Sequence, residues 1–359
     1  MPEPLKNSYN KPYVSRLVDS FLVHAPNFNG KALHQKIFDE DWNERELKSR
    51  MDHIARTIYD VLALDYVSAL HILKPVCESF GGYEAMFFPH IIELYGIDHW
   101  DESMAALEHM TQFSSSEFAV RPFIVKAPKK MMKQMLRWSR HDNYHVRRLS
   151  SEGCRSRLPW AMALPEFKKD PALIMPILEK LKNDESEYVR KSVANNINDI
   201  TKDNPELVKE LASRWLGETP NTDWIVKHGC RTLLKKADGE VLALFGYVPG
   251  QKVEVLALSI ADKTVSIGGE LNFTFSLSSQ RLTLGMLRIE YAIDYMKSNG
   301  SQSRKIFKIS EGDVKTKIKD IKRKQSFKEM STRKHYPGEH ALAIIVNGAE
   351  VKKTTFDVV

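Results

Sequence analysis

The sequence predicts a chain of two parts, an all-α solenoid of stacked helical repeats followed by an all-β sandwich. Three observations carry that expectation. Apolar residues recur at spacings of three and four up to about residue 245, the spacing changes to two from about Lys252, and a weak repeat runs through the helical part. The 359 residues suffice for two or three domains of ordinary size. With 42% hydrophobic and 28% charged residues, the balance is that of a globular protein, which sets aside disordered, collagen-like and low-complexity classes.

In the helical part, Leu17, Val18, Phe21 and Leu22 share one helix face, and so do Met51, Ile54, Ile58 and Leu62. Three segments superpose: Asp142-Asn-Tyr-His-Val-Arg-Arg-Leu149, Ser186-Glu-Tyr-Val-Arg-Lys-Ser192 and Thr222-Asp-Trp-Ile-Val-Lys-His228. Their valines, Val146, Val189 and Val226, lie 43 and 37 residues apart. That is the period of stacked helix pairs of the HEAT or armadillo kind, in which each unit buries its apolar face only against its neighbours. Each segment is expected to open an amphipathic helix, and the solenoid to present a concave basic face. Phe245-Gly-Tyr-Val-Pro-Gly250 carries the Gly and Pro punctuation of a boundary, dividing the chain into a helical domain at 1–248 and a strand domain at 251–359.

In the strand domain Leu271, Phe273, Phe275 and Leu277 alternate with polar residues, as do Leu287, Ile289, Tyr291, Ile293 and Tyr295. Turn signals such as Gly268-Gly269 and Asn299-Gly300 bound these runs. They read as strands with one buried face. Their length and alternation are those of an immunoglobulin-like sandwich, here without paired cysteines.

Lys and Arg number 53 against 46 Asp and Glu, a net charge of +7, and the excess is local. Between Arg121 and Arg157 eleven cations stand against two acids, and between Arg304 and Lys334 twelve against four. These stretches carry +9 and +8, so the rest of the chain is net acidic. A solvated helix face is one reading of the first stretch. The other is a polyanion surface: Arg147, Arg190 and Lys227 occupy one repeat position and Arg148, Lys191 and His228 the next, giving two rows of cations suited to a phosphate backbone. The second stretch, with Lys315, Lys317, Lys319, Lys322, Arg323 and Lys324, reads either as a strand edge guarded by lysines or as a second DNA clamp.

The three cysteines, Cys77, Cys154 and Cys230, are far apart and form no CxxC pair, so neither a disulfide framework nor a zinc knuckle is expected. Cys154 reads as a small buried residue rather than a nucleophile. No metal site and no cofactor are expected. The start, MPEPLKNSYNKPYV, has no apolar run behind a basic segment, and no stretch reaches the length of a membrane span, which points to a reducing cytosolic compartment.

A few residues on the basic face are not needed by an electrostatic cradle. Glu152 lies one helical turn after Arg148, and the same register in the next repeat reads Lys191, Asn195, Asp199. A carboxylate facing a polyanion weakens binding, so its presence suits chemistry on something positive. Alternatively Glu152 pairs with Arg148, and Asp199 caps or pairs locally. Trp160, after Arg155-Ser-Arg-Leu-Pro159, either fills a gap between repeats or offers its ring face to a cation. Glu117, in Ser114-Ser-Ser-Glu-Phe118, stands where a helix-start cap would.

Through Ser116-Glu-Phe-Ala-Val-Arg-Pro-Phe123, Val146-Arg-Arg-Leu-Ser-Ser-Glu-Gly153, Arg157-Leu-Pro-Trp160 and Tyr188-Val-Arg-Lys-Ser-Val-Ala-Asn-Asn-Ile-Asn-Asp199, the chain resembles a known family. It is that of the bacterial DNA alkylation repair glycosylases of the AlkC and AlkD type, and within them AlkC, over roughly residues 5 to 245. The resemblance implies HEAT-like repeats wrapped around duplex DNA and a monofunctional glycosylase without cofactor. Its substrates would be cationic N-methylated bases, chiefly 3-methyladenine and 3-methylcytosine, excised without base flipping. Some AlkC members look similar in carrying a C-terminal immunoglobulin-like domain.

A base methylated at N3 is positively charged and leaves without protonation. What remains is to stabilise an oxocarbenium-like sugar and to position a water, and carboxylates do both. By that analogy Glu117 matches the AlkD-type catalytic aspartate, Glu152 and Asp199 flank the lesion from adjacent repeats, and Trp160 packs against the cationic nucleotide. AlkD-type sequences carry a tryptophan pair ahead of their aspartate where this chain has Phe113-Ser-Ser-Ser-Glu117, so the aromatic role passes to Trp160.

DNA contacts are expected from Arg121, Arg147, Arg148, Arg155, Arg157, Arg190, Lys191 and Lys227, and from Lys319, Lys322 and Arg323 on the sandwich. The implied partner is double-stranded DNA carrying N3-methylated bases, bound by a monomer in the bacterial cytoplasm at the nucleoid. A noncatalytic HEAT-repeat scaffold for nucleic acid or an acidic protein is the competing expectation. Convergence of Glu117, Glu152, Trp160 and Asp199 at one point separates the two.

Overall fold

A computed structural model describes residues 3–248, 251–329 and 333–359; Pro249 and Gly250 of the expected boundary lie outside the described residues. The helices are α1 (Lys11–His24), α2 (Gly30–Ile37), α3 (Leu47–Leu62), α4 (Tyr66–Cys77), α5 (Phe87–Tyr95), α6 (Trp100–Met110), α7 (Arg121–Lys126) and α8 (Pro128–Trp138). They continue as α9 (Tyr144–Glu152), α10 (Pro165–Lys169), α11 (Met175–Leu181), α12 (Glu187–Ile200), α13 (Pro205–Trp215), α14 (Pro220–Gly229), α15 (Arg231–Lys235) and α16 (Gly239–Leu244). The strands follow: β1 (Val253–Ile260), β2 (Thr264–Val265), β3 (Glu270–Ser279), β4 (Gly285–Met296), β5 (Gln302–Val314), β6 (Ile318–Ser326), β7 (Gly338–Val346) and β8 (Ala349–Val358). Helix gives way to strand between Leu244 and Val253, where the apolar period changes. Among the described residues no helix is long and apolar enough to cross a membrane.

The chain forms two compact units, one reaching to Val208 and including Arg214–Gly229, the other comprising Lys209–Ser213 and everything from Cys230 on. The short helices α15 and α16 therefore pack with the strands. Gly348 shows how closely: a Cβ there would lie 2.7 Å from Ala237 and 2.8 Å from Leu242.

In the first unit α9, α12 and α14 lie side by side, and α8 and α11 back them from a second layer. Val146 and Val189 are each the third residue of their helix and fully buried. Helix α9 opens on a side-chain cap, the Asn143 carboxamide accepting from the His145 N–H at 2.8 Å, and ahead of α12 the Asp184 carboxylate accepts from the N–H of the N-cap residue Ser186 at 2.8 Å. The third segment departs from the expected register. Pro220 fixes the first turn of α14, and Thr219 and Thr222 exchange backbone-to-hydroxyl bonds of 2.9 and 3.1 Å ahead of it. Val226 thus sits one turn deeper, and Thr222–His228 continues a helix instead of opening one.

The helices α3 and α5 are joined by a charged cluster. His90 bonds Asp52 at 2.9 Å through Nε2 and Glu93 at 2.8 Å through Nδ1. Burial opposes the imidazolium, but the two carboxylates outweigh it and raise the pKa. A raised folded value contributes stability that is full below the unfolded value of about 6.5 and is lost as pH rises through the folded one. Replacing His90 by Gln is therefore expected to lower the melting temperature more at about pH 6 than at about pH 8.5. An equal loss at both would remove the charge from the account.

The second unit holds a three-stranded sheet in the order β1-β3-β6 and a five-stranded sheet in the order β2-β8-β7-β4-β5. Leu271, Phe273, Phe275 and Leu277 of β3 meet Leu287, Ile289, Tyr291 and Ile293 of β4 in one core. The expectation of a single buried face holds for β3 and fails for β4. There Arg288, Glu290, Ala292 and Asp294 are buried as well. The charges are matched in pairs, Arg288 with Glu290 at 2.6 Å and with Glu311 at 2.7 Å, and Asp294 with Arg304 at 2.7 Å, which is what permits polar residues on a covered face. Of the second basic stretch, β6 is an edge strand with Lys322, Arg323 and Lys324 exposed.

Candidate active site

Five charged side chains alternate in sign across α9, α12 and the turn before α7. Glu117, on that turn, accepts from the Nη1 of Arg148, which also donates to Ser115 Oγ at 2.8 Å. Arg148 Nη2 lies 3.4 Å from Glu152 Oε1, one helical turn on. Arg155 donates to that same oxygen at 2.6 Å through Nη1, and to Asp199 Oδ2 at 2.9 Å through Nε. The order is Glu117, Arg148, Glu152, Arg155, Asp199, three negative charges against two positive. Lys202 closes the far end, 3.4 Å from Asp199 Oδ1.

The site deepens along this series. The Glu117 side chain is 15% exposed and that of Asp199 2%. Glu117 and Arg148 line the wall of a groove of about 370 Å³, together with Tyr83, Phe113, His145 and Tyr188. Buried ion pairs offset their desolvation only where geometry is good, and each guanidinium here reaches two carboxylates. Burial opposes the charge of Arg148, yet Glu152 and Glu117 outweigh it and its pKa is raised. Arg155 is raised likewise, by Glu152 and Asp199 against burial. Burial lowers the pKa of His145, and the neighbouring Arg148 adds to that.

The expected cation rows serve the fold more than the surface. Arg147 Nη1 donates to the carbonyls of His141 and Asp142 at 3.0 and 2.6 Å, and Arg190 Nη1 to those of Asp184 and Glu185 at 2.7 and 2.8 Å. In both repeats the arginine clamps the loop that precedes its own helix, and Arg147 also pairs with Asp184 at 2.6 Å across repeats. Lys191 is exposed and pairs with Glu187, Arg157 pairs with Asp203 at 2.7 Å, and Lys227 lies in the last turn of α14. His228, expected beside Arg148 and Lys191, instead stacks on Trp224.

Arg121 is fully buried and donates to three carbonyls, of Met162 at 2.7 Å and of Gly153 and Arg155 at 2.9 Å each. Expected as a DNA contact, it faces backbone on every bonded side, and burial pushes its pKa down to about 10. The exposed cations of the first basic stretch are Lys129, Lys130, Lys133 and Arg137 on α8, with Lys126 and Arg140 on either side of it. In the second unit, Lys319, Lys322 and Arg323 stand opposite Leu277, Thr274 and Phe273 along β6.

Glu117, Glu152 and Asp199 are brought together; Trp160 is held separately. Its carbonyl accepts from Lys48 Nζ at 2.6 Å, and the side chain is 65% exposed. Its φ of 65° is left-handed, a conformation that costs an aromatic residue energy and that concentrates at functional sites. The following Ala161 and Met162 line a cavity of about 230 Å³ with Ser115 and Phe118, the neighbours of Glu117. Cys154 is buried, its thiol pushed up to about 12 by desolvation, as the small-residue reading expects.

Sequence reasoning passed over Tyr188. Its ring lies 4.8 Å from the Arg148 guanidinium, and it is 42% exposed at the groove. The signal was present, because an aromatic precedes the Val-Arg or Val-Lys of each repeated segment, as Tyr144, Tyr188 and Trp224. Ser115, which binds both Glu117 and Arg148, carried no comparable signal. Among the described residues no group of three or more His, Cys, Asp or Glu is placed to hold a metal ion.

Comparison with known proteins places the chain beside proteins of DNA alkylation repair. A family model described as DNA alkylation repair enzyme matches residues 98–233. Residues 254–359 match a model described as the C-terminal Ig-like domain of the uncharacterised protein YhaZ. The uncharacterized protein YhaZ of Bacillus subtilis (strain 168) is 48% identical over 349 residues, covering 97% of each chain. The alkylpurine DNA glycosylase AlkC of Pseudomonas fluorescens, solved bound to DNA containing an abasic site analogue, is 36% identical. It superposes with a TM-score of 0.95 over 99% of this chain and 100% of its own.

Proposed function

Because the chain belongs to the AlkC family of DNA alkylation repair enzymes, we propose that it is a monofunctional DNA glycosylase. It hydrolyses the N-glycosidic bond of cationic N3-methylated bases in duplex DNA, 3-methyladenine and 3-methylcytosine, without base flipping, and leaves an abasic site. The observation that carries the reading is the five-member charge series. Its three carboxylates, held by Arg148, Arg155 and Lys202, fix negative charge beside the groove that Glu117 lines, where an N3-methylated nucleotide and the oxocarbenium-like sugar that follows bond breaking are positive. A scaffold that only bound polyanions would gain nothing from three carboxylates gathered there.

Glu117, which lines the groove, and Glu152, buried behind Arg148, act on the sugar cation and the attacking water. Asp199, deepest, supports Glu152 through Arg155. Trp160 makes no contact with the three carboxylates, and its exposed ring is offered to the cationic nucleotide from the neighbouring loop. Phosphates are met by exposed cations, Arg157 and Lys191 in the solenoid and Lys322 and Arg323 on the sandwich edge. On this reading residues 1–248 carry the chemistry and 251–359 help hold the duplex, as a monomer in the cytoplasm.

The reading is tested by a lesion panel in otherwise identical duplexes. Free base is expected from 3-methyladenine and 3-methylcytosine. Uracil and hypoxanthine, which are neutral and need a protonated leaving group, are expected to give at least about 10²-fold less, the size of a missing general acid. Comparable release from the neutral bases would contradict the charge argument.

A further inference from the structure

We propose that Arg155 is a positioning residue of this reaction, fixing Glu152 and Asp199 in place through one guanidinium, with Arg121 fixing Arg155 in turn; the inference rests on the glycosylase reading. From its charge and its place in the basic stretch, Arg155 reads as a phosphate contact. Its geometry leaves it no phosphate to meet. The residue is 7% exposed, and its Nε and Nη1 are committed to carboxylates on two different helices, Asp199 of α12 at 2.9 Å and Glu152 of α9 at 2.6 Å. Two like charges held that close repel, and only a cation between them makes a fixed arrangement stable. A planar fork of donors does this for two acceptors at once, which a lysine ammonium does not do with the same geometry.

The second tier lies behind it. Arg121 Nη1 takes the carbonyls of Gly153 and Arg155, 2.9 Å each, on both sides of the turn that carries Arg155 out of α9. Its Nε takes the carbonyl of Met162 at 2.7 Å, two residues past Trp160. One fully buried cation therefore pins both the turn that presents Arg155 and the loop that presents Trp160. It does so among carbonyls, without a bonded carboxylate, although burying a charge is expensive. Gly153 belongs to the same arrangement: a Cβ there would meet Val120 at 2.6 Å, so the turn is pressed against the segment that carries Arg121. The two arginines are thus a stacked scaffold behind the carboxylates.

The test uses the full chain with Arg155→Met and Arg155→Lys, measured two ways. One is the single-turnover rate of 3-methyladenine release at saturating enzyme. The other is affinity for the same duplex with an abasic site analogue, titrated over a range of salt. A misplacement of reacting groups by about 1 Å costs about 10²-fold in rate, so Arg155→Met is expected to fall by that factor and Arg155→Lys to regain part of it. The salt slope is expected to stay at the wild-type value, because no phosphate contact is lost.

A slope reduced by about 0.9, with weaker binding, would make Arg155 a DNA contact and overturn the proposal, as would a wild-type rate in both variants. Should Arg155→Met fail to fold, Arg155→Lys decides alone: a slower rate at unchanged slope supports the proposal and an unchanged rate overturns it. A wild-type protein that releases no base sinks the glycosylase reading and this inference with it. An active wild type with unaffected variants sinks this inference only.

Discussion

Replacing Glu152 by Gln is expected to slow release of 3-methyladenine by about 10²- to 10³-fold, the loss that follows removal of one well-placed electrostatic group, while affinity for the duplex holds or rises. The substitution keeps the shape of the side chain and most of its bonding. What it removes is one negative charge, leaving two carboxylates against Arg148, Arg155 and Lys202. Loss of that carboxylate weakens the preference for a cationic nucleotide over a neutral one. Duplex DNA, a polyanion, meets less repulsion, and so binding does not suffer. Because Arg148 keeps Glu117 and Arg155 keeps Asp199, the fold should tolerate the change. Rate and affinity therefore move independently, the pattern of an interaction made in the transition state rather than in the ground state. A full-rate Glu152→Gln enzyme would remove Glu152 from the chemistry.

Arg148→Met is expected to act on stability. Breaking a buried pair by removing one partner costs about 3–5 kcal/mol, since it leaves the other charge uncompensated. Arg148 has two such partners, Glu117 and Glu152, and its guanidinium lies over Tyr188 as well. Met replaces the aliphatic stem and leaves two carboxylates facing each other across an apolar side chain. Urea unfolding should show a loss near the upper end of that range. Titration of duplex binding against salt should show an unchanged slope, because a residue spent on two carboxylates and Ser115 releases no counterion from DNA. A slope lower by about 0.9 with stability intact would instead identify Arg148 as a phosphate ligand.

The two-part architecture was legible because each part obeys one period over many residues. Val146 and Val189 are buried third residues of their helices, and the β3 residues Leu271 to Leu277 face the core as their alternation requires. The third repeat was misregistered because Pro220 and the Thr219–Thr222 exchange start α14 earlier than the apolar pattern does. Such local capping overrides a match of seven residues. β4 looks one-sided in sequence because Arg288, Glu290 and Asp294 have the charge of solvent-facing residues, and only the position of the strand inside the sheet pairs and buries them.

At the site, the spacing of Arg148 and Glu152 announced their proximity. Nothing in the spacing could announce Arg155 between Glu152 and Asp199, since that contact spans 44 residues. Net charge misled in one respect. Arg121, Arg147 and Arg190 count as surface cations in sequence but bond to backbone carbonyls, so the basic stretch exaggerates what a polyanion would meet.

The most direct test of the central claim is one time course: purified wild-type protein with a duplex carrying a single 3-methyladenine, following both the liberated base and the strand. The expected result is release of free 3-methyladenine with a matching yield of abasic strand that stays intact until alkali cleaves it. A strand nicked by the protein itself would contradict monofunctional hydrolysis. No free base above the spontaneous rate would contradict the glycosylase reading altogether.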